Sequence, residues 1–179
     1  MNIVEQFVKK YEGDYQESPK VSINFPNGKH SFQKQKGLLF VDGSKISINI
    51  TEVSDAARTA EPFRIAIYFD KVYRTTFTMY PKSIWNRLSD LIFKGKTRFI
   101  PKNVKKQFYI DTDQKVCRKL VNNKIFVESI LNEKIYIRTV HNKVTTIILT
   151  PAYGIRDVEQ LEKFVIVLKE IEIAFKQYL

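Results

Sequence analysis

A chain of 179 residues, 44% of them hydrophobic and 13% aromatic, has the size of one domain and enough apolar mass to bury roughly 70% of its unfolded surface without a metal or a disulfide. Cys117 is the single cysteine, which excludes an intrachain disulfide and leaves a cysteine-based zinc site short of ligands. The net charge of +11 is concentrated: residues 71–124 carry 14 Lys/Arg against Asp90, Asp111 and Asp113, whereas the other 125 residues hold 16 basic and 16 acidic side chains.

Ile3, Val4, Phe7, Val8 and Tyr11 recur at helical spacing, so the spacing predicts an amphipathic helix over 2–12, ended near Gly13. Nothing in Met1–Gln6 resembles the basic start and apolar run of a signal peptide. Between 14 and 36 the strand signals are weak, Val21–Phe25 being the best. Leu38–Val41, a turn at Asp42-Gly43-Ser44 and Lys45–Val53 read as a hairpin, with Ile46, Ile48 and Ile50 on one face. After a polar loop over 54–61, Phe63, Ile65, Ile67 and Phe69 alternate as in a half-buried strand. Asp70-Lys71 is read as a turn into a second strand, Tyr73–Tyr80.

Pro81 suits a first helical position, and Ile84, Trp85, Leu88, Leu91 and Ile92 continue as the stripe of a helix over 81–93. Lys94–Lys106 reads as a basic connection, followed by a short strand at Gln107–Ile110. A helical region over 112–131 starts at Asp111-Thr112-Asp113 and is broken at Asn122-Asn123, after which Ile125–Leu131 resumes as a second short helix. Ile135–Val140 and Val144–Thr150 form a hairpin across His141-Asn142-Lys143. Val158, Leu161, Phe164, Val165, Leu168, Ile171 and Phe175 then repeat at three and four over a long helix, 157–178. Docking of that helix on the sheet is preferred to a dimeric coiled coil, which keeps a homo-oligomer through the C-terminal helix as the alternative. Asp157 is placed to cap it and Gly154 to turn the chain into it. The sum is a single α+β domain, 1–179, with a mostly antiparallel sheet. The longest apolar runs, such as Phe164–Leu168, are far short of the roughly 20 residues of a membrane span, so the expectation is a soluble protein of a reducing cytoplasm.

Chemistry is sparse. His30 and His141 are the only histidines, and neither belongs to a metal-binding spacing. Ser83 lacks the glycines of a nucleophile elbow, and Gly95-Lys96-Thr97 lacks the upstream glycine of a phosphate loop. Glu52, Asp55 and Glu61 are single acids that nothing pairs. No catalytic residue, metal or cofactor is assigned. The one constellation above background is basic and aromatic: Lys94, Lys96, Arg98, Lys102, Lys105 and Lys106 fall within 13 residues free of acids, with Phe93, Phe99 and Phe108 in or beside them. Two readings fit. The cations bind phosphates while the rings stack or insert, or the lysines are a solvated loop and the rings point inward.

Three segments occur in a recurring order. Arg58-Thr59-Ala60-Glu61-Pro62-Phe63 leads into the strand Phe63–Tyr68, Gln107-Phe108-Tyr109-Ile110 precedes Lys119–Ile125, and Gly154-Ile155-Arg156-Asp157 opens the last helix. Over about residues 20–175 this layout resembles a group of uncharacterised bacterial proteins of unknown function. Val104-Lys105-Lys106 stands where that group commonly has an acidic residue before the Phe. The resemblance implies a coherent fold and brings no activity.

The functional expectation is a non-catalytic binding or interaction module whose basic stretch, 71–124, contacts an anionic partner: nucleic acid, an anionic lipid surface or an acidic protein. The alternatives are an enzyme on an anionic substrate, with Arg58 or a lysine as the charge clamp, and a small-ligand carrier closed by the C-terminal helix.

Overall fold

Alternation of branched apolar residues with polar ones builds most of this fold. The computed structural model describes residues 2–26, 28–53, 63–82, 99–140 and 144–177. Nine strands form one sheet: β1 (Asp14–Glu17), β2 (Val21–Phe25), β3 (Gly28–Val41), β4 (Ser44–Val53), β5 (Phe63–Tyr73), β6 (Phe77–Pro81), β7 (Phe108–Thr112), β8 (Ile135–Thr139) and β9 (Val144–Pro151). Their order is β1-β3-β4-β5-β9-β8-β6-β7, with β2 also on β3, and every pairing is antiparallel. The helices are α1 (Ile3–Lys10), α2 (Lys102–Gln107), α3 (Gln114–Asn122), α4 (Lys124–Ile130) and α5 (Val158–Lys176).

Because partners across an antiparallel ladder share a face, the register can be read as rows crossing the whole sheet. One row is Ile110, Met79, Ile137, Leu149, Ile65, Ile48, Gly37, Tyr15. It belongs to the core, where Val4, Phe7 and Val8 of α1 and Leu161, Phe164, Leu168 and Ile171 of α5 cover it. α3 and α4 pack on α5 rather than on the sheet centre. The adjacent row is Asp111, Thr78, Arg138, Ile148, Ala66, Ser47, Leu38, Asp14. No helix among the described residues packs on that second face. The fold is α+β, the described residues forming two layers with the long C-terminal helix laid on the sheet.

The Asp42-Gly43 turn is built as its sequence demands. Both residues have positive φ, 46° and 76°, the geometry of a type I′ hairpin whose twist matches the strands. α5 begins where Asp157 accepts a hydrogen bond from the Gln160 amide at 2.7 Å, and Gly154 sits at φ 79° beside Phe63. α1 approaches β3 closely enough that a Cβ on Gly37 would lie 2.5 Å from Val8 Cγ2. Gly37→Ala is therefore expected to destabilise the fold by about 2 kcal/mol through overpacking. Chemical denaturation of the single variants and of Gly37→Ala with Val8→Ala checks this, because trimming Val8 makes the pair less costly than the sum.

Three sequence expectations need correction. Asp70-Lys71 does not turn the chain; β5 runs through it to Tyr73, with a register shift between Tyr68 and Tyr73. Pro81 is not a helix start. It ends β6 opposite Phe108, away from the β8 ladder, where its missing N–H breaks nothing. The rest of the helix expected over 81–93 lies outside the described residues, as do the loop 54–61 and His141-Asn142-Lys143. The basic connection is in part a helix, α2, anchored by buried Val104. The expected break at Asn122-Asn123 is where one helix ends and the next begins, Asn123 closing α3 while its side chain caps α4 at the Phe126 amide; only the start moves, since Thr112 belongs to β7.

Candidate anion-binding site

At one end of the sheet, β6 finishes, β7 begins after α2, and β8 begins after α4. Pro81, Lys82, Lys106, Gln107, Asn132, Glu133 and Lys134 line a surface cleft of about 300 Å³ there. Main-chain and side-chain bonds fix its walls: the Lys82 amide donates to the Gln107 carbonyl at 2.8 Å, and the Asn132 amide donates to Gln107 Oε1 at 3.0 Å. Lys82, Lys106 and Lys134 thus come from three elements far apart in sequence and meet around one depression. Lys134 Nζ lies 5.0 Å from the Tyr153 ring centroid and donates to its hydroxyl at 3.2 Å.

The one carboxylate among the described lining residues is turned to structural use. Glu133, whose side chain is 13% exposed, accepts from Arg156 at 3.2 Å and from Gln160 Nε2 at 2.7 Å. Lys106 and Lys134 are exposed on the cleft rim, with half-buried Lys82 beside them, a concentration of positive charge that attracts anions.

Beside the cleft, on the uncovered face, Tyr80 and Tyr109 are register partners with stacked rings 4.9 Å apart. Tyr136 occupies the same face of β8, two residues from the Arg138–Thr78 pair. Tyr109, Tyr136 and Tyr153 are 38%, 49% and 72% exposed. Aromatic and cationic side chains are interleaved here, but they are not the aromatics the sequence singled out.

Of the predicted anion-binding residues, Lys102, Lys105 and Lys106 are brought together on α2. Arg58, Lys94, Lys96 and Arg98 lie outside the described residues. Phe108 is 3% exposed and Phe99 packs against the core beneath the Arg118 guanidinium, 5.1 Å away. Those two rings serve packing, the second of the two readings. The described cations of 71–124 also do not share one face. Lys71 and Arg74 flank the Tyr73–Val144 end of β5, opposite the cleft, and Lys115, Arg118 and Lys119 ride on α3. Lys82, Lys134 and the four tyrosines were missed as site residues. For Tyr80, Tyr109 and Tyr136 the signal was a tyrosine held between two apolar residues: Met79-Tyr80-Pro81, Phe108-Tyr109-Ile110, Ile135-Tyr136-Ile137; Lys82, Lys134 and Tyr153 carried none.

Other chemistry is quiet. Cys117 is buried, and burial pushes its thiol up to about 11, which keeps it protonated and unreactive at neutral pH. Among the described residues no group of His, Cys, Asp and Glu is arranged to hold a metal ion, and no helix is long and apolar enough to cross a membrane.

No protein-family model matches the chain, and neither does any curated protein. Among solved structures, the crystal structure of the mycobacterial trehalose monomycolate transport factor A, TtfA, has a similar fold. The TM-score is 0.50 at 9% identity, over 96% of this chain and 92% of that one. At that identity the likeness is one of fold alone.

Proposed function

We propose that this chain is a non-catalytic binding module that holds an anionic partner against the lysine-rim cleft and the tyrosine-bearing end of the sheet face opposite the described helices. The observation that carries the reading is the convergence of Lys82, Lys106 and Lys134 around one depression in which Glu133, the one acid among its described lining residues, is held by Arg156 and Gln160. Lys102 and Lys105 extend the positive charge along α2. Lysines on a rigid scaffold neutralise phosphates or carboxylates as point charges, with an affinity that falls as salt screens them.

The solved structure of similar fold is titled a transport factor. A carrier of small ligands encloses most of its cargo. The cleft described above, and a second of about 240 Å³ on the uncovered face lined by Asp14, Lys36 and Asn49, are open depressions instead. Surface capture fits them better than enclosure.

The test is a titration at about 50 mM and again at about 300 mM salt. Its probes are single-stranded oligonucleotide, phosphatidylserine vesicles and polyglutamate. Binding to at least one probe is expected, weakening with salt. The variant Lys82→Glu/Lys106→Glu/Lys134→Glu should lose at least tenfold while keeping its circular dichroism and melting transition. No binding to any probe at low salt, or an unaltered triple variant, overturns the reading.

A further inference from the structure

We infer that the anionic partner is a single-stranded nucleic acid whose bases stack on the tyrosines of β6, β7 and β8, an inference that rests on the anion-binding reading above. A cluster of lysines alone selects no particular polyanion. The selection comes from what lies between the cations. Tyr109, Tyr80 and Tyr136 stand on three adjacent strands of the face on which no described helix packs, half-buried Tyr80 between the two exposed rings, and neighbouring strands are about 4.8 Å apart. Arg138 lies two residues beyond Tyr136 on β8. In the opposite direction Lys134 lies two residues before Tyr136, and Lys82 two residues after Tyr80. Residues two apart along a strand share a face, which places Arg138 beside Tyr136; Lys134 and Lys82, just past the ends of β8 and β6, line the cleft at the other end of the row, so positive charge flanks the tyrosines on both sides.

Such a layout matches a chain whose bases are flat and whose phosphates run alongside them. Every base has a π face, so aromatic stacking accepts them without regard to sequence, and flanking Lys/Arg take the phosphates. Sheets that bind RNA through exposed aromatics use the same division of labour. A duplex fits poorly, because its paired bases hide the faces that tyrosine needs. A lipid surface fits poorly too. Interfacial binding buries a continuous apolar face in the headgroup boundary, whereas here the tyrosine row alternates with Thr78, Arg138 and Asp111 on the same strands. An acidic peptide satisfies the lysines but leaves the tyrosine row without a role. Asp111 is the one carboxylate on this face among the described residues of the three strands. It sits on the edge strand β7, two residues from Tyr109, where it favours a path that approaches the row from the β8 side.

The experiment is fluorescence anisotropy at about 50 mM salt. It compares labelled 12-nucleotide single strands of DNA and RNA with abasic strands of equal length, the matching duplex and phosphatidylserine vesicles. The single strands are expected to bind best, with the abasic strand and the duplex each at least tenfold weaker. Tyr80→Leu/Tyr136→Leu keeps apolar bulk but removes the π faces, and should weaken the base-bearing strand roughly tenfold or more while leaving the abasic strand unchanged. Tyr80→Phe/Tyr136→Phe should bind like the parent, which separates loss of stacking from loss of fold. Equal binding of abasic and base-bearing strands, preference for duplex or vesicles, or an unaltered leucine variant overturns the stacking inference and leaves anion binding standing. Absence of binding to all of them overturns both.

Discussion

Replacing Glu172 with alanine is expected to cost about 3 kcal/mol of folding stability, a large effect for a residue that looks like helix surface in the sequence. Glu172 is 2% exposed. Its Oε2 accepts from Ser44 Oγ at 2.6 Å and from Lys169 Nζ at 2.9 Å, and its Oε1 meets Lys176 Nζ at 2.9 Å. Lys169 also donates to Ser44 Oγ at 2.7 Å. The cluster fastens the last turns of α5 to the tight end of the β3–β4 hairpin. Removing the carboxylate strands a nearly buried ammonium and a buried hydroxyl, and an uncompensated buried group costs more than the pair contributes. The lower end of the usual range applies, since the Lys176 side chain is 50% exposed and can return to water. Chemical denaturation measures the loss. Glu172→Gln, which keeps volume and hydrogen-bonding capacity, should lose less, and Lys176→Met should lose under about 1 kcal/mol.

The same cluster sets a pH window. Burial pushes the Glu172 carboxyl up, but hydrogen bonds from Ser44, Lys176 and Lys169 outweigh it and hold the group below its ordinary value of 4.5. A depressed carboxylate contributes stability that is complete above the unfolded value and disappears as pH falls through the folded one. The parent should therefore lose stability below about pH 4.5 more steeply than Glu172→Gln does. Lys176 behaves in the opposite sense: its hydrogen bond to Glu172 raises it above 10.5, so its share is complete below that pH and is lost at more alkaline values.

Local periodicity made much of this architecture legible. Ile46, Ile48 and Ile50, or Phe63 to Phe69, declare a face because strand geometry has a period of two, and Phe164, Leu168, Ile171 and Phe175 declare one because helix geometry has 3.6. Such patterns say which side of an element is buried. They do not say what stands on the other side. Glu172 occupies a helical position that borders the apolar stripe, and only the arrival of Ser44, 128 residues away in sequence, makes it buried. The candidate site was half legible for the same reason. Lys102, Lys105 and Lys106 are neighbours in sequence, so their clustering on α2 could be read directly. Lys82, Lys106 and Lys134 are neighbours only through the β7-β6-β8 order, which no local pattern encodes. Phe99 and Phe108 misled because an aromatic next to lysines reads alike whether its ring faces water or the core. Tyr80, Tyr109 and Tyr136 carried a better sign, a polar-ended ring at the outward phase of a strand. Its weight emerges only when three strands are seen to align it. Pro81 and Asp70-Lys71 failed differently: both are turn chemistry in isolation, and the sheet overrode them where the ladder left the proline nitrogen unneeded and β9 continued the pairing of β5.

Phe175→Ala should cost about 4 kcal/mol, the second large effect, and it should do so at the same end of α5. Phe175 is 1% exposed, with ring centroids 5.9 Å from Phe69 and 5.5 Å from Tyr73, which are themselves 5.0 Å apart and edge-on. The three rings close the core where β5 changes register between Tyr68 and Tyr73. There β5 has no uniform ladder to β9, so side-chain packing carries more of the cohesion. Truncation removes the transfer free energy of one ring, leaves a cavity that two fixed aromatics cannot collapse into, and forfeits both ring contacts. Phe175→Leu keeps most of the volume and should lose less than half as much. Tyr73→Phe reports on the geometry itself. Burial raises the Tyr73 phenol above its ordinary value of 10.0, so losing that hydroxyl removes a partly desolvated polar group and should leave stability nearly unchanged. Denaturation of all three variants checks the set. A small loss for Phe175→Ala, alongside a large one for Tyr73→Phe, would mean that the hydroxyl rather than the ring packing closes this end of the core.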